Sequence, residues 1–215
     1  MNKNEKFIIT INRELGSGGR TIGAKLAAKL EVPFYDKALV EGLMKKYDLT
    51  TEEIERRKGR NNSWWADFKR IVGIGPGMTD NYNQASMGDK PDMITTDEMF
   101  KAETEILRGI AKDESCVIAG RSGFFVLKNH PNRLSILIQA SMEHRIERVM
   151  RKQNLSREEA EEVIKKVDKM RENYVNRYTS TSRYDTRNYE LVITMDRLSE
   201  DDAVDLIMDY INRQS

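Results

Sequence analysis

The run from residue 7 to residue 30, FIITINRELGSGGRTIGAKLAAKL, restricts this chain more than any other stretch. A β-rich segment at 7–12 enters a glycine cluster, ELGSGGRT at 14–21, after which Ile22, Leu26, Ala27 and Leu30 fall on one side of a helix. The order is strand, glycine loop, helix. The loop approximates the phosphate-binding pattern G-x-x-x-x-G-K-[ST], with Glu14 at the first glycine, Gly19 at the second, Arg20 at the lysine and Thr21 in place. Gly16, Gly18 and Gly19 let backbone N–H groups converge on a phosphate, and the helix N-terminus adds its positive end. Arg20 supplies a cation, although its planar fork differs from a compact ammonium, and Thr21 offers a hydroxyl to Mg²⁺. The alternative is a glycine-rich turn that holds no ligand.

Further strands are expected at 32–35, 116–120, 134–139 and 190–195, with helical patterns between them. Unbroken apolar strands alternating with helices indicate a parallel sheet covered on both sides. A charged helical pattern fills 38–58, and helix resumes near Asp97. Between them, residues 61–92 combine Gly73, Gly75, Pro76, Gly77, Gly88 and Pro91 with Trp64, Trp65 and Phe68. A stretch of this kind inside a compact domain reads as a lid or binding loop, here a flap that closes on substrate. Trp64 and Trp65 either stack on a base or anchor the insertion to the core, and the anchor is favoured. A basic helix covers 142–152, and Ser156 with Glu159 forms a capping box that opens a long helix.

The 215 residues suffice for one α/β domain with an inserted segment. With 36 basic and 35 acidic residues, nothing suggests a nucleic-acid polymer or a membrane as partner, so any anion site is local. Apolar runs such as 7–11 and 134–138 are too short to span a bilayer, and the first six residues lack a signal-peptide pattern. A single cysteine, Cys116, allows no intramolecular disulfide, and two histidines make a His/Cys metal site unexpected. The expected location is the cytoplasm.

The segments VPFYDK, CVIAGRSG, LSILIQASMEHRIERVMRK, DKMRENY and YELVITMDRLS, added to the glycine loop, resemble the cytidylate-kinase-like family of P-loop kinases in order along nearly the whole chain. The resemblance implies an α/β P-loop NTPase fold: a five-stranded parallel sheet flanked by helices, with an acceptor-side insertion and a helical lid. On that reading the core spans about 5–46 and 96–215, the insertion about 47–95 and the lid about 150–187. ATP is held by Leu15, Gly16, Ser17, Gly18, Gly19, Arg20 and Thr21, with Arg148 packing on the adenine and Lys152 reaching the phosphates. Arg20, Lys169 and Arg171 are the catalytic cations, Arg171 being oriented by Asp168 at i,i+3. Asp36, Arg121 and Ser122 face the acceptor. Arg121 matches the arginine of a Gly-Arg-Asp motif, but Ser122 replaces the aspartate, and Ala119 stands where the relative has an acid. Asp36 alternatively caps the next helix, as such aspartates commonly do.

The expected activity moves the γ-phosphoryl of ATP, with Mg²⁺, to a nucleoside monophosphate such as CMP or dCMP. A different small acceptor, and a nucleotide-binding regulatory protein without catalysis, are the alternatives that Ser122, Arg20 and Ala119 motivate.

Overall fold

A computed structural model describes residues 1–46, 48–58, 65–66 and 97–214. In chain order the elements are β1 (Ile8–Arg13), α1 (Gly19–Lys29), β2 (Phe34–Asp36), α2 (Lys37–Lys46), α3 (Thr51–Lys58), α4 (Asp97–Asp113), β3 (Cys116–Ala119), α5 (Gly123–Val126), β4 (Arg133–Gln139), α6 (Met142–Gln153), α7 (Arg157–Thr179), a 3₁₀ turn (Thr186–Asn188), β5 (Leu191–Thr194) and α8 (Glu200–Gln214). The strands form one parallel five-stranded sheet in the order β2-β3-β1-β4-β5. This is the architecture expected from the apolar runs.

β1 is the middle strand, where Ile9 faces Val117 of β3 and Leu134 of β4. Its side chains alternate between two cores. Ile9 and Ile11 pack with Ile22 and Leu26 of α1 and with Val204 and Ile207 of α8. Ile8 packs on the other face with Leu39 and Leu43 of α2 and with Ile106 and Ile110 of α4. Burial on both faces is the reason these strands read as continuous apolar runs rather than as alternating ones.

The single helix expected over 38–58 is two. Asp48 adopts a left-handed φ of +48°, the Leu49 N–H returns to the Met44 carbonyl at 3.0 Å, and buried Leu49 fastens the turn to the core. Thr50 then caps α3 by accepting from the Glu53 N–H at 3.2 Å. The flap expected over 61–92 lies outside the described residues, apart from Trp65 and Ala66. Trp65 is an anchor: it is fully buried, meets Tyr35 edge-on at 6.3 Å, and donates from Nε1 to Glu114 at 3.3 Å.

The capping box at Ser156 and Glu159 is present. The hairpin of α6 and α7 encloses Leu15 of the glycine loop among Ile146, Val149, Ala160, Ile164 and Val167. No described helix is long and apolar enough to cross a membrane.

Candidate active site

The loop between β1 and α1 turns through Gly16 and Gly18, whose φ values of +84° and +86° few L side chains adopt. Its underside is tied to β4. Ser17, 1% exposed, donates from its hydroxyl toward the Glu14 and Ile138 carbonyls at 3.0 and 3.1 Å. Glu14, where the usual pattern has glycine, accepts from the Ala140 N–H at 3.0 Å and pairs with Arg145 at 2.9 Å. A Cβ on Gly16 would meet the Arg145 carbonyl at 2.7 Å, and one on Gly19 would meet Arg13 Cβ at 2.5 Å. Only at Gly18, the N-cap of α1, is the nearest atom at an ordinary distance, 3.5 Å.

Cations gather on this loop. Arg20 donates to Asp36 at 2.6 Å, while the other oxygen of Asp36 accepts from the Leu39 N–H at 3.0 Å. Asp36 therefore caps α2 and holds Arg20 at once. Arg148 pairs with Glu200 of α8 and reaches the Thr21 hydroxyl at 3.3 Å. Lys152 is exposed, and partial desolvation followed by repulsion from Arg148 holds it below the usual lysine value. On α7, Asp168 accepts from the Leu15 N–H at 3.0 Å and pairs with Arg145 at 2.6 Å, with Arg183 at 3.7 Å and Arg171 at 3.9 Å. Its tightest partners are thus Arg145 and the loop itself, not the i,i+3 Arg171. Lys169 is exposed, and among the described residues no hydrogen bond or ion pair joins it to the loop.

Arg183 is 0% exposed and donates to the Arg13 carbonyl. Its Nε and Nη1 have no hydrogen-bond partner among the described residues. Burial, then repulsion from Arg171, pushes its pKa down, though a guanidinium stays protonated in a protein.

A second polar cluster follows β3. Gly120, Arg121 and Ser122 take left-handed φ values of +84°, +52° and +51° in succession, a strained arrangement of the kind found at functional sites. The Arg13 guanidinium occupies the space where Gly120 would carry a Cβ. Buried Arg121 pairs with buried Glu103 of α4 and lies 4.8 Å over the Tyr174 ring. Tyr174 donates to Glu103 Oε2 at 3.0 Å, and burial holds its hydroxyl well above the usual tyrosine pKa. Beside it Phe100 stacks on Tyr178 at 4.2 Å.

A family model described as the cytidylate kinase-like family matches residues 8–197. The chain belongs to that family. No curated protein sequence matches it. A crystal structure of an uncharacterized protein from Eubacterium ventriosum is similar, with 26% identity over 96% of this chain and 99% of the other, at a TM-score of 0.69. Shikimate kinase from Bacteroides thetaiotaomicron shares the fold at a TM-score of 0.51, with 13% identity over 96% and 98% of the two chains.

For this cytidylate kinase-like chain the loop, Arg148, Asp36, Arg121 and Ser122 all lie at the carboxyl ends of the strands, where ligands of open α/β sheets bind. Sequence reasoning passed over Arg13 and Glu103; it placed Arg145 on the basic helix, Tyr174 on the apolar face of the long helix and Arg183 downstream of the lid helix, without giving any of the three a site role. Arg145 had a signal, since it shares a helix face with buried Val149 at i,i+4. Glu103 had one too: it lies on the apolar face of α4, between Phe100 and Ile106–Leu107. Arg183 stood among the arginines that follow the lid helix, but nothing in the sequence marked it as buried.

Proposed function

We propose that this protein is an ATP-dependent kinase that transfers a γ-phosphoryl group to a small acceptor, with the nucleoside monophosphates CMP and dCMP as the leading candidates. The observation that carries the reading is a glycine loop at the carboxyl ends of the strands with buried arginines beside it. Arg145 and Arg183 are buried next to the carboxylates of Glu14 and Asp168. A buried guanidinium whose N–H groups are not all hydrogen-bonded is costly, so this arrangement suits an anion. Among the described residues Arg183 Nε and Nη1 make no hydrogen bond, Nη1 lying 3.7 Å from Asp168.

Phosphoryl transfer asks little covalent chemistry of the protein; it requires positioning and neutralisation of charge on the transferring oxygens. In this reading the N–H groups from Leu15 to Thr21 cradle the donor phosphates. Arg20 and Arg171 neutralise the transferring group, Lys169 joins them when the lid of about 150–187 moves, and Arg148 and Lys152 bind the donor. The Thr21 hydroxyl, in the first turn of α1, fits Mg²⁺, which takes one or two protein oxygens and otherwise water and phosphate. Bound there with ATP, Mg²⁺ would supply charge neutralisation across the phosphates. Asp36, Arg121 and Ser122 orient the acceptor, and the protein works in the cytoplasm.

Ser122 and Ala119 favour a second reading, a kinase for another small acceptor, because both replace acids of the cytidylate kinase pattern. Purified protein with ATP-Mg²⁺ and a panel of monophosphates, with ADP release measured, tests the two together.

A further inference from the structure

The second cluster contains a carboxylate that its protein partners use only by half. Glu103 is 1% exposed, and its Oε2 takes both the Arg121 guanidinium and the Tyr174 hydroxyl. Its Oε1 is buried with no hydrogen-bond partner among the described residues, and so is the hydroxyl of Ser122, 4% exposed, next to Arg121 in the chain. Leaving a buried carboxylate oxygen unpaired costs more than leaving a neutral one. Arg121 and Tyr174 fix the group so that it cannot turn away to find water. Three consecutive left-handed residues, Gly120, Arg121 and Ser122, hold the other side of the cluster. Strain of this kind persists only where the surroundings over-determine it.

We infer that Glu103 is a specificity-determining residue: its Oε1 accepts a hydrogen bond from an N–H or O–H of the acceptor, so the site selects acceptors that present a donor over isosteres that present a carbonyl. The inference rests on the kinase reading and adds to it the group that reads the acceptor. It also explains how the site works without an acid at Ser122, since the carboxylate arrives from α4 instead. A carboxylate accepting from the exocyclic amine of cytosine is a well-matched pair. A site built around such a hydrogen bond rejects an analogue lacking it more strongly than an apolar pocket rejects an extra methylene. The donor belongs either to the base or to the sugar, and three acceptors separate these.

Wild type and Glu103→Gln are compared with ATP-Mg²⁺ on CMP, dCMP and UMP, with ATP-Mg²⁺ binding measured in parallel by calorimetry. Glutamine has the same volume and still offers an oxygen to Arg121, but its amide turns an accepting position into a donating one. Wild type is expected to favour CMP over UMP by about 100-fold in kcat/KM. Glu103→Gln should collapse or invert that ratio while leaving ATP affinity unchanged. If the change falls on the CMP-to-dCMP ratio instead, the sugar hydroxyl is the donor read by Glu103. A purely structural Glu103 would lower all three activities together and preserve both ratios, which overturns the inference. Should Glu103→Gln not fold, Glu103→Asp, which keeps the charge and retracts the oxygens, carries the same comparison. A wild type that binds ATP but phosphorylates none of the three also overturns the inference, and leaves the donor site standing. A wild type that binds no ATP removes the kinase reading, and the inference with it.

Discussion

The backbone N–H of Leu15 donates to Asp168 Oδ1 at 3.0 Å, joining the glycine loop to a helix 153 residues further along the chain. The same carboxylate holds Arg145. One side chain therefore ties the glycine loop to α7 and α6 together. Asp168→Ala removes the counter-charge of buried Arg145 and Arg183 and leaves the Leu15 N–H unpaired. A loss of about 3–5 kcal/mol in unfolding free energy is expected by denaturant titration. Asp168→Asn, which still offers an oxygen to Leu15, should lose less. A loss under about 1 kcal/mol in Asp168→Ala would mean the cluster is held by other contacts.

The glycines of the loop should separate by experiment. Gly19→Val drives a side chain into Arg13 and Ile138, so it should destabilise the fold and weaken nucleotide binding only as a consequence. Gly18→Ala has room for its methyl group but must hold a φ of +86°, a strain of about 1–2 kcal/mol. It should melt within several degrees of wild type and bind ATP-Mg²⁺ at least tenfold more weakly by calorimetry. Unchanged affinity in Gly18→Ala would remove phosphate from this loop.

Arg20 and Arg171 are expected to act on the transition state. Alanine at either should lower kcat by more than about 100-fold, or roughly 2.7 kcal/mol, with the thermal melt little changed. Arg20→Lys should recover part of the loss, and Asp36→Asn should alter the acceptor KM, because Asp36 holds Arg20 at 2.6 Å. Wild-type turnover in Arg171→Ala would make its 3.9 Å contact with Asp168 no more than an ion pair of the helix surface.

Alkaline pH should unfold the protein through its buried tyrosines. Burial pushes Tyr189 up to about 12 and Tyr35 and Tyr174 higher. Each has a folded pKa above its unfolded value of about 10. The stability they contribute is therefore complete below pH 10 and is lost as pH rises through 12, because the unfolded chain releases the proton first. Melting temperatures between pH 9 and 12 should fall, and the fall should be shallower in Tyr189→Phe. A flat profile would show that these hydroxyls are not desolvated.

The frame of the molecule was legible because its signals are local. Burial of β1, β3 and β4 on both faces writes itself as unbroken apolar runs, and Ser156 with Glu159 announces the start of α7. The break at Asp48 was not read: 38–58 keeps a helical pattern through it, and the cap signal of Thr50 with Glu53 was missed; the left-handed φ of Asp48 and the packing of Leu49 reveal the turn. The same limit applied to the site. Gly16, Gly18 and Arg20 stand together in the chain and could be read as a loop. Asp168 with Leu15, and Glu103 with Arg121, meet only through tertiary packing, and a charge on a helix does not declare whether it faces water or another helix. Trp65 shows the converse, since its aromatic ring in a glycine-rich stretch suggested stacking on a base as well as the anchoring that its burial on Tyr35 reveals.

The transfer itself is the most direct test of kinase activity in this chain. Wild-type protein with ATP-Mg²⁺ labelled in the γ-phosphoryl group is incubated with CMP and dCMP, and both ADP and the labelled acceptor are measured. Label is expected in the diphosphate product in equal amount to the ADP formed, with ADP release falling to background when the acceptor is omitted. ADP that forms equally with and without acceptor, or ATP left intact beside every monophosphate tried, would contradict it.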